Sequence, residues 1–238
     1  MEKLRFKYKI KDSQKKIANI QMKDCAINII HTDFKFKKVF DKSSGKSKKY
    51  IENSFKISLD IIKKNKTLGL INGPISKKYF LNKKYLGITE YLFKKTKTKK
   101  NPTMLIYNSK ISVSPVTTHL PIKVVAKNLN SKIIINNILE IYKFYKLKLN
   151  KNPKFAVLGL NPHAGDGGYI GTDEREIIST VIASLKNRGQ KIIGPLSADT
   201  AFIDKGEDIK AATFLAMFTD QGLAVITTSH VVAIVNVT

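Results

Sequence analysis

At 238 residues with 42% hydrophobic content, the chain is long enough to bury a core as one large or two small domains, and its composition excludes a disordered polymer. One cysteine, Cys25, excludes an intrachain disulfide and reads as a reduced structural thiol; no apolar run has the length of a membrane span or a signal-peptide core, so a cytoplasmic protein with no membrane partner is expected. The net charge of +25 would suit nucleic acid, but Arg5, Arg175 and Arg188 are the only arginines among 43 basic residues, and lysine with abundant isoleucine and asparagine reads as the coding of an AT-rich genome, so no nucleic-acid partner is expected and an anionic, phosphorylated small molecule fits the same field.

Residues 1 to 50 are lysine-rich and weakly periodic, with a strand over 26 to 31 and a loop over 41 to 48; residues 1 to 45 receive the weakest assignment. His31 lacks patterned polar neighbours and reads as a structural histidine. From 48 to 64, Ile51, Phe55, Leu59 and Ile62 recur at three- and four-residue spacing, the mark of an amphipathic helix. Residues 67 to 71 read as a strand broken by Asn72, Gly73 and Pro74, with Ser76 capping a short helix through Phe80. Gly87 suggests a turn and Thr89 the cap of a helix through Phe93. Strands are expected over 104 to 107 and 111 to 116, joined as a hairpin through Asn108, Ser109 and Lys110.

Thr117, Thr118, His119 and Leu120 follow that hairpin, and Pro121 suits the start of a helix through Leu129. A longer helix over 132 to 149 turns Ile134, Ile138, Ile141, Tyr142 and Tyr145 inward. The short apolar run Phe155, Ala156, Val157 and Leu158 then delivers a glycine-dense loop, LNPHAGDGG, in which Gly165, Gly167, Gly168 and Gly171 allow close backbone approach to a ligand. Thr172 with Asp173, Glu174 and Glu176 reads as an N-cap and acidic first turn accepting the free amides of a helix that runs to about Gly189. Strands are expected over 191 to 193 and 213 to 218, with a polar break over 219 to 222 and β-branched strands from Leu223 to Val237. Strands alternating with helices predict an α/β layered sandwich with a largely parallel central sheet.

His119, His163 and Asp199 each follow a predicted strand, and strand ends of an open α/β sheet share a crevice. Imidazoles with a carboxylate suit a divalent metal, although hydrogen-bonded histidines satisfy the same spacing. The ordered motifs GPISK, GITEYL, TTHLP, LNPHAGDGG, GPLSADT, DQGL and VNVT, over roughly 46 to 238, resemble the 4-hydroxythreonine-4-phosphate dehydrogenase family of vitamin B6 biosynthesis. The resemblance implies an isocitrate/isopropylmalate dehydrogenase-like fold and a homodimer with a shared site. It also implies oxidation and decarboxylation of 4-phosphooxy-L-threonine with NAD or NADP and a divalent metal (zinc, magnesium, manganese or cobalt). By motif position His119 and His163 match two of three metal histidines, Thr89, Asp199 and Asn236 match substrate contacts, and Asp199 a catalytic position; residues for the nicotinamide cofactor are not assigned.

Five departures fall on that one site. Thr219 stands where the family has its third metal histidine, Ile88 replaces the histidine of GHTE, and Thr227 replaces a lysine that meets phosphate or carboxylate. The GDPAGIGPE segment has no counterpart, and the chain stops at VNVT before an arginine-bearing segment, so a single dehydrogenase-like unit truncated at both ends is expected, with a division into two lobes left open. His230, in a β-branched run near the altered lysine position, reads as structural. The alternative is a catalytically silent homologue that keeps the scaffold and binds a phosphorylated ligand or a partner subunit.

Overall fold

The structure is a computed structural model that describes residues 9–12, 26–35, 45–64, 69–82, 84–96, 102–107, 111–202, 212–227 and 233–237. The chain divides into two compact units, Met1–Tyr91 and Leu92–Thr238. In the first, strand β1 (Lys9–Asp12) pairs in parallel with β2 (Ala26–Ile29). His31 is exposed, but it does have a partner: its Nε2 lies 3.1 Å from Asp33 Oδ1.

Helix α1 spans Gly45–Lys64, three residues earlier than the periodicity predicts. Residues 69 to 76 have no regular structure and Ile71 is 98% exposed, so the strand expected there is not formed in its described part. Helix α2 (Lys77–Phe80) begins after Ser76 as expected, yet the serine hydroxyl makes no capping bond. Helix α3 (Ile88–Thr96) starts one residue before Thr89, which places Thr89 in its first turn rather than at its cap. Phe55, Phe80 and Tyr91 are all buried and their rings meet within 5.8 Å of one another, an aromatic cluster that gives this unit its core.

The second unit holds a six-stranded sheet in the order β6-β5-β7-β4-β3-β8. Its strands are β3 (Thr103–Tyr107), β4 (Ser112–Thr117), β5 (Lys154–Leu158), β6 (Ile192–Leu196), β7 (Ala212–Phe218) and β8 (Ala233–Val237). The four strands β6, β5, β7 and β4 are mutually parallel, and β3 runs antiparallel to both β4 and β8. The hairpin turn, residues 108 to 110, lies outside the described residues.

Period-two alternation explains the layering. Phe155, Val157, Leu215 and Met217 enter one apolar cluster with the inner faces of two helices, while Ala156, Leu158, Phe214 and Ala216 enter a second on the opposite face. Both faces are therefore covered, as parallel sheets require. Helix α5 (Ser131–Leu149) follows a 3-10 turn (Ile122–Val124) and the one-turn helix α4 (Val125–Asn128), which together replace the single helix expected after Pro121. Asn130 caps α5 by accepting from Ile133 N, and Asn150 ends it in the left-handed region at φ 51°.

Helix α6 (Ser179–Asn187) is preceded by a π-wound turn, Glu174–Ile178. Helix α7 (Thr219–Thr227) occupies the stretch read as a polar break and the start of a strand. Among the described residues of the expected carboxyl-terminal strands, 233 to 237 form one, and 228 to 232 lie outside the described residues. Among the described residues no helix is long and apolar enough to cross a membrane.

Candidate active site

Parallel strands send their carboxyl ends to the same edge of a sheet, and here that edge carries every candidate of the second unit that the structure describes in side-chain detail. Asp199 follows β6, His163 follows β5, Thr219 follows β7 and His119 follows β4. The sheet order sorts them into neighbours. His163 and Asp199 come from adjacent strands, as do Thr219 and His119, while β7 lies between β5 and β4. The crevice expected from the sequence is accordingly two adjoining clefts with Phe218 in the lining of both.

The larger cleft, about 340 Å³, is lined by Asn161, His163, Asp199, Phe218 and Gln221 among others. His163 Nδ1 lies 3.2 Å from Asp199 Oδ2, with both side chains more than half exposed. The Ser197 hydroxyl donates to Asp199 Oδ1 at 2.5 Å. That bond, with a smaller contribution from the nearby imidazole, holds the Asp199 carboxyl below its ordinary value, so it is a standing anion at neutral pH. A cleft of this size suits one small polar molecule.

The loop carrying His163 has an uncommon backbone. His163, Ala164, Gly165, Asp166 and Gly167 all have φ between 43° and 80°, a short left-handed turn. Each non-glycine residue held there costs about 1–2 kcal/mol, and the surroundings must hold the turn in place. Buried Glu174 does so: its Oε1 accepts from Leu160 N at 2.7 Å and Asn161 N at 2.8 Å, and its Oε2 from Asn161 Nδ2 at 3.1 Å. The carboxylate expected to cap its own helix therefore serves the neighbouring loop. Gln221 meets the same segment from α7, donating through Nε2 to Gly159 O at 2.6 Å while its Oε1 accepts from Met217 N at 2.7 Å. Gln221 sits inside the DQGL motif and Glu174 in the acidic first turn that follows LNPHAGDGG, and sequence alone gives neither a role at the site.

The second cleft, about 260 Å³, is lined by Thr117, His119, Leu120, Phe218, Thr219 and Asp220 among others. His119 sits at φ 56°. The Thr219 hydroxyl donates to Thr117 O at 3.4 Å, while the Thr117 hydroxyl donates to Met217 O at 2.7 Å. Thr219 is thus turned toward the backbone of β4.

Among the described residues no three His, Cys, Asp or Glu side chains gather into a metal-binding group. Zinc-type sites need at least three protein donors, so the donor set described in this chain does not by itself fit one. Thr89 and Ile88 lie in α3. Asn236 lies in β8 opposite Met104 and Thr227 ends α7, both known here by backbone position, and His230 is outside the described residues.

A family profile described as pyridoxal phosphate biosynthetic protein PdxA matches residues 1–238, the whole chain. The chain is 36% identical over 200 residues to the 4-hydroxythreonine-4-phosphate dehydrogenase of Sulfurihydrogenibium sp. (strain YO3AOP1), covering 83% of this chain and 60% of that relative. It is 41% identical over 161 residues to the enzyme of the same name from Wigglesworthia glossinidia brevipalpis, covering 66% and 48%. The chain thus spans about half to three-fifths of the length of these relatives.

Two solved structures are similar in fold. A 4-hydroxythreonine-4-phosphate dehydrogenase from Klebsiella pneumoniae superposes with a TM-score of 0.75 at 23% identity, over 93% of this chain and 68% of that one. A putative one from Salmonella typhimurium gives 0.80 at 21%, over 97% and 71%. The fold is the isocitrate/isopropylmalate dehydrogenase-like α/β architecture.

Proposed function

The chain belongs to the pyridoxal phosphate biosynthetic protein PdxA family, and from that premise we propose that it forms the strand-end site of a 4-hydroxythreonine-4-phosphate dehydrogenase. In this reading the secondary hydroxyl of 4-phosphooxy-L-threonine is oxidised and the resulting β-keto acid loses carbon dioxide on the way to pyridoxal phosphate. The observation that carries it is the 3.2 Å contact between His163 and Asp199 in an open cleft at the carboxyl ends of parallel strands. Asp199, kept ionised by Ser197, accepts from Nδ1–H and fixes the tautomer, leaving Nε2 as the base that takes the hydroxyl proton. When bound, NAD or NADP supplies hydride acceptance. Thr89 and Asn236 are assigned to substrate contact by the same reading, and a homodimer goes with it. No step is routed through a metal, because the donor set described here does not hold one by itself.

A second reading, a scaffold that binds a phosphorylated ligand or partner subunit without turnover, is favoured by Thr219. Where the resemblance expects a third metal histidine, this chain presents a hydroxyl turned toward Thr117 O beside His119. Reduction of NAD or NADP in the presence of 4-phosphooxy-L-threonine, with zinc, magnesium, manganese or cobalt added in turn, separates the two. Turnover abolished by Asp199→Asn supports the first. Substrate binding by calorimetry without turnover under any of these metals supports the second.

A further inference from the structure

We propose that Glu174 and Gln221 are positioning residues that hold His163 against Asp199 by gripping one three-residue segment of backbone, Gly159 to Asn161, from opposite polarities. The segment leaves β5 and immediately enters the left-handed turn on which His163 rides. Its two amides at 160 and 161 point to the Glu174 carboxylate, and its carbonyl at 159 accepts from the Gln221 amide. The Gly159 amide donates to Leu196 O at 2.8 Å, tying the same point to the end of β6, the strand that leads to Asp199. A carboxylate is the one side chain that accepts from two backbone amides and a side-chain amide without offering a competing donor, and a carboxamide can donate to a carbonyl through its nitrogen while accepting from another amide through its oxygen.

Packing agrees with the hydrogen bonds. A Cβ added at Gly165 would lie 2.6 Å from Glu174 Oε2, so the left-handed turn rests on the carboxylate that anchors its entry. A Cβ on Gly171 would overlap Asn161 Nδ2, the group that also donates to Glu174 Oε2 and to Asp173 Oδ2. The π-wound turn at Glu174–Ile178 begins with the residue whose side chain turns onto the loop, and single-turn π-bulges recur at functional sites. Glu174 is 5% exposed and does not line the cleft, so it acts through His163 rather than on a ligand.

The inference rests on the reading of His163 and Asp199 as the proton-handling pair, but its test does not need turnover. In full-length chain labelled at histidine, imidazole resonances are assigned with His119→Gln and His163→Gln. Glu174→Gln sets a donor against Asn161 Nδ2 and the loop amides. It is expected to shift or broaden the His163 resonance while the His119 resonance, from the other cleft, stays in place. Gln221→Glu keeps the acceptor for Met217 N and sets an oxygen against Gly159 O; it is expected to disturb His163 more than His119. A folded Glu174→Gln chain with an unmoved His163 resonance overturns the proposal. If Glu174→Gln does not fold, Gln221→Glu decides in the same way, and failure of both to fold overturns it by reducing the pair to a purely structural role. A chain without dehydrogenase activity but with the selective His163 shift would count against the proposed reaction and for this inference.

Discussion

His163 and Asp199 stand 36 positions apart in sequence and 3.2 Å apart in space, because β5 and β6 are neighbours and each releases its loop at the same edge of the sheet. The contact is an ion pair whenever the imidazole is protonated and a hydrogen bond when it is neutral. Replacing Asp199 by asparagine removes the anion that orients Nδ1. In a chain that turns over, kcat should fall by about 100-fold or more with a smaller change in KM, measured by steady-state nicotinamide reduction.

Ser197 is the largest cause of the lowered Asp199 value, so Ser197→Ala should move the Asp199 titration upward, toward an ordinary carboxyl. A carboxyl lowered in the folded state adds stability above its unfolded value, and that contribution is lost as pH falls through the lowered folded value. The variant should therefore carry a smaller contribution at neutral pH and finish losing it at a higher pH than the parent during acid titration, read by carboxyl carbon NMR alongside a melting series.

Thr219→His should place an imidazole at the carboxyl end of β7, the strand between those that lead to His119 and His163. Affinity for cobalt(II) or zinc should rise at least about tenfold, or 1.4 kcal/mol, by calorimetry. A cobalt d–d band should appear in the variant that the parent lacks. An unchanged affinity would show that the threonine is not what limits metal binding.

Gly165→Ala meets Glu174 Oε2 at 2.6 Å and Gly171 O at 2.8 Å while keeping φ at 80°. A loss of about 2 kcal/mol or more is expected, read as a lowered denaturant midpoint at unchanged slope.

Tyr145→Phe deletes a buried hydroxyl that sits 3.1 Å from Ser112 Oγ and accepts from Thr213 Oγ1 at 3.0 Å. Removing it should cost about 1–2 kcal/mol without affecting the strand-end clefts, since Ser112 and Thr213 lie at the opposite ends of β4 and β7. Denaturant melts and histidine spectra together check both halves of that expectation.

What could be read in advance followed local pattern. Helix α5 and strands β5 and β7 show clear helical spacing or unbroken apolar runs, and the structure places them within two residues of expectation. Helix α7 escaped because its sequence, TDQGLAVIT, is rich in residues that suit strands; its helical state is set by packing on β4 and β7, where a Cβ on Gly222 would overlap Val113. Glu174 was read as a cap because acids after a threonine usually serve their own helix, and only the tertiary position of the β5 loop diverts it. The division of one crevice into two was hidden for a topological reason. β7 follows β4, β5 and β6 in sequence yet inserts between β5 and β4, and strand order is not written in periodicity. In the same way Asn137 and Glu140 lie on the inner side of α5 among apolar neighbours, Asn137 taking the Ser114 hydroxyl at 2.9 Å and Glu140 meeting Lys143 at 3.1 Å.

That insertion also dictates when the site can exist. Thr117 and Met217, joined by a hydrogen bond at the β4–β7 seam, are separated by 100 positions, and every intervening strand and helix of the unit belongs to the loop this seam closes. Closing so long a loop carries an entropic cost that local contacts cannot repay, and folding slows as such distant pairings dominate. Helix α5 and the β3–β4 hairpin can form early from nearby residues, whereas both clefts must wait for β7 to slot home. A nascent chain therefore has no ligand site until β7 has been made and has inserted, and a ligand can help only from that step onward.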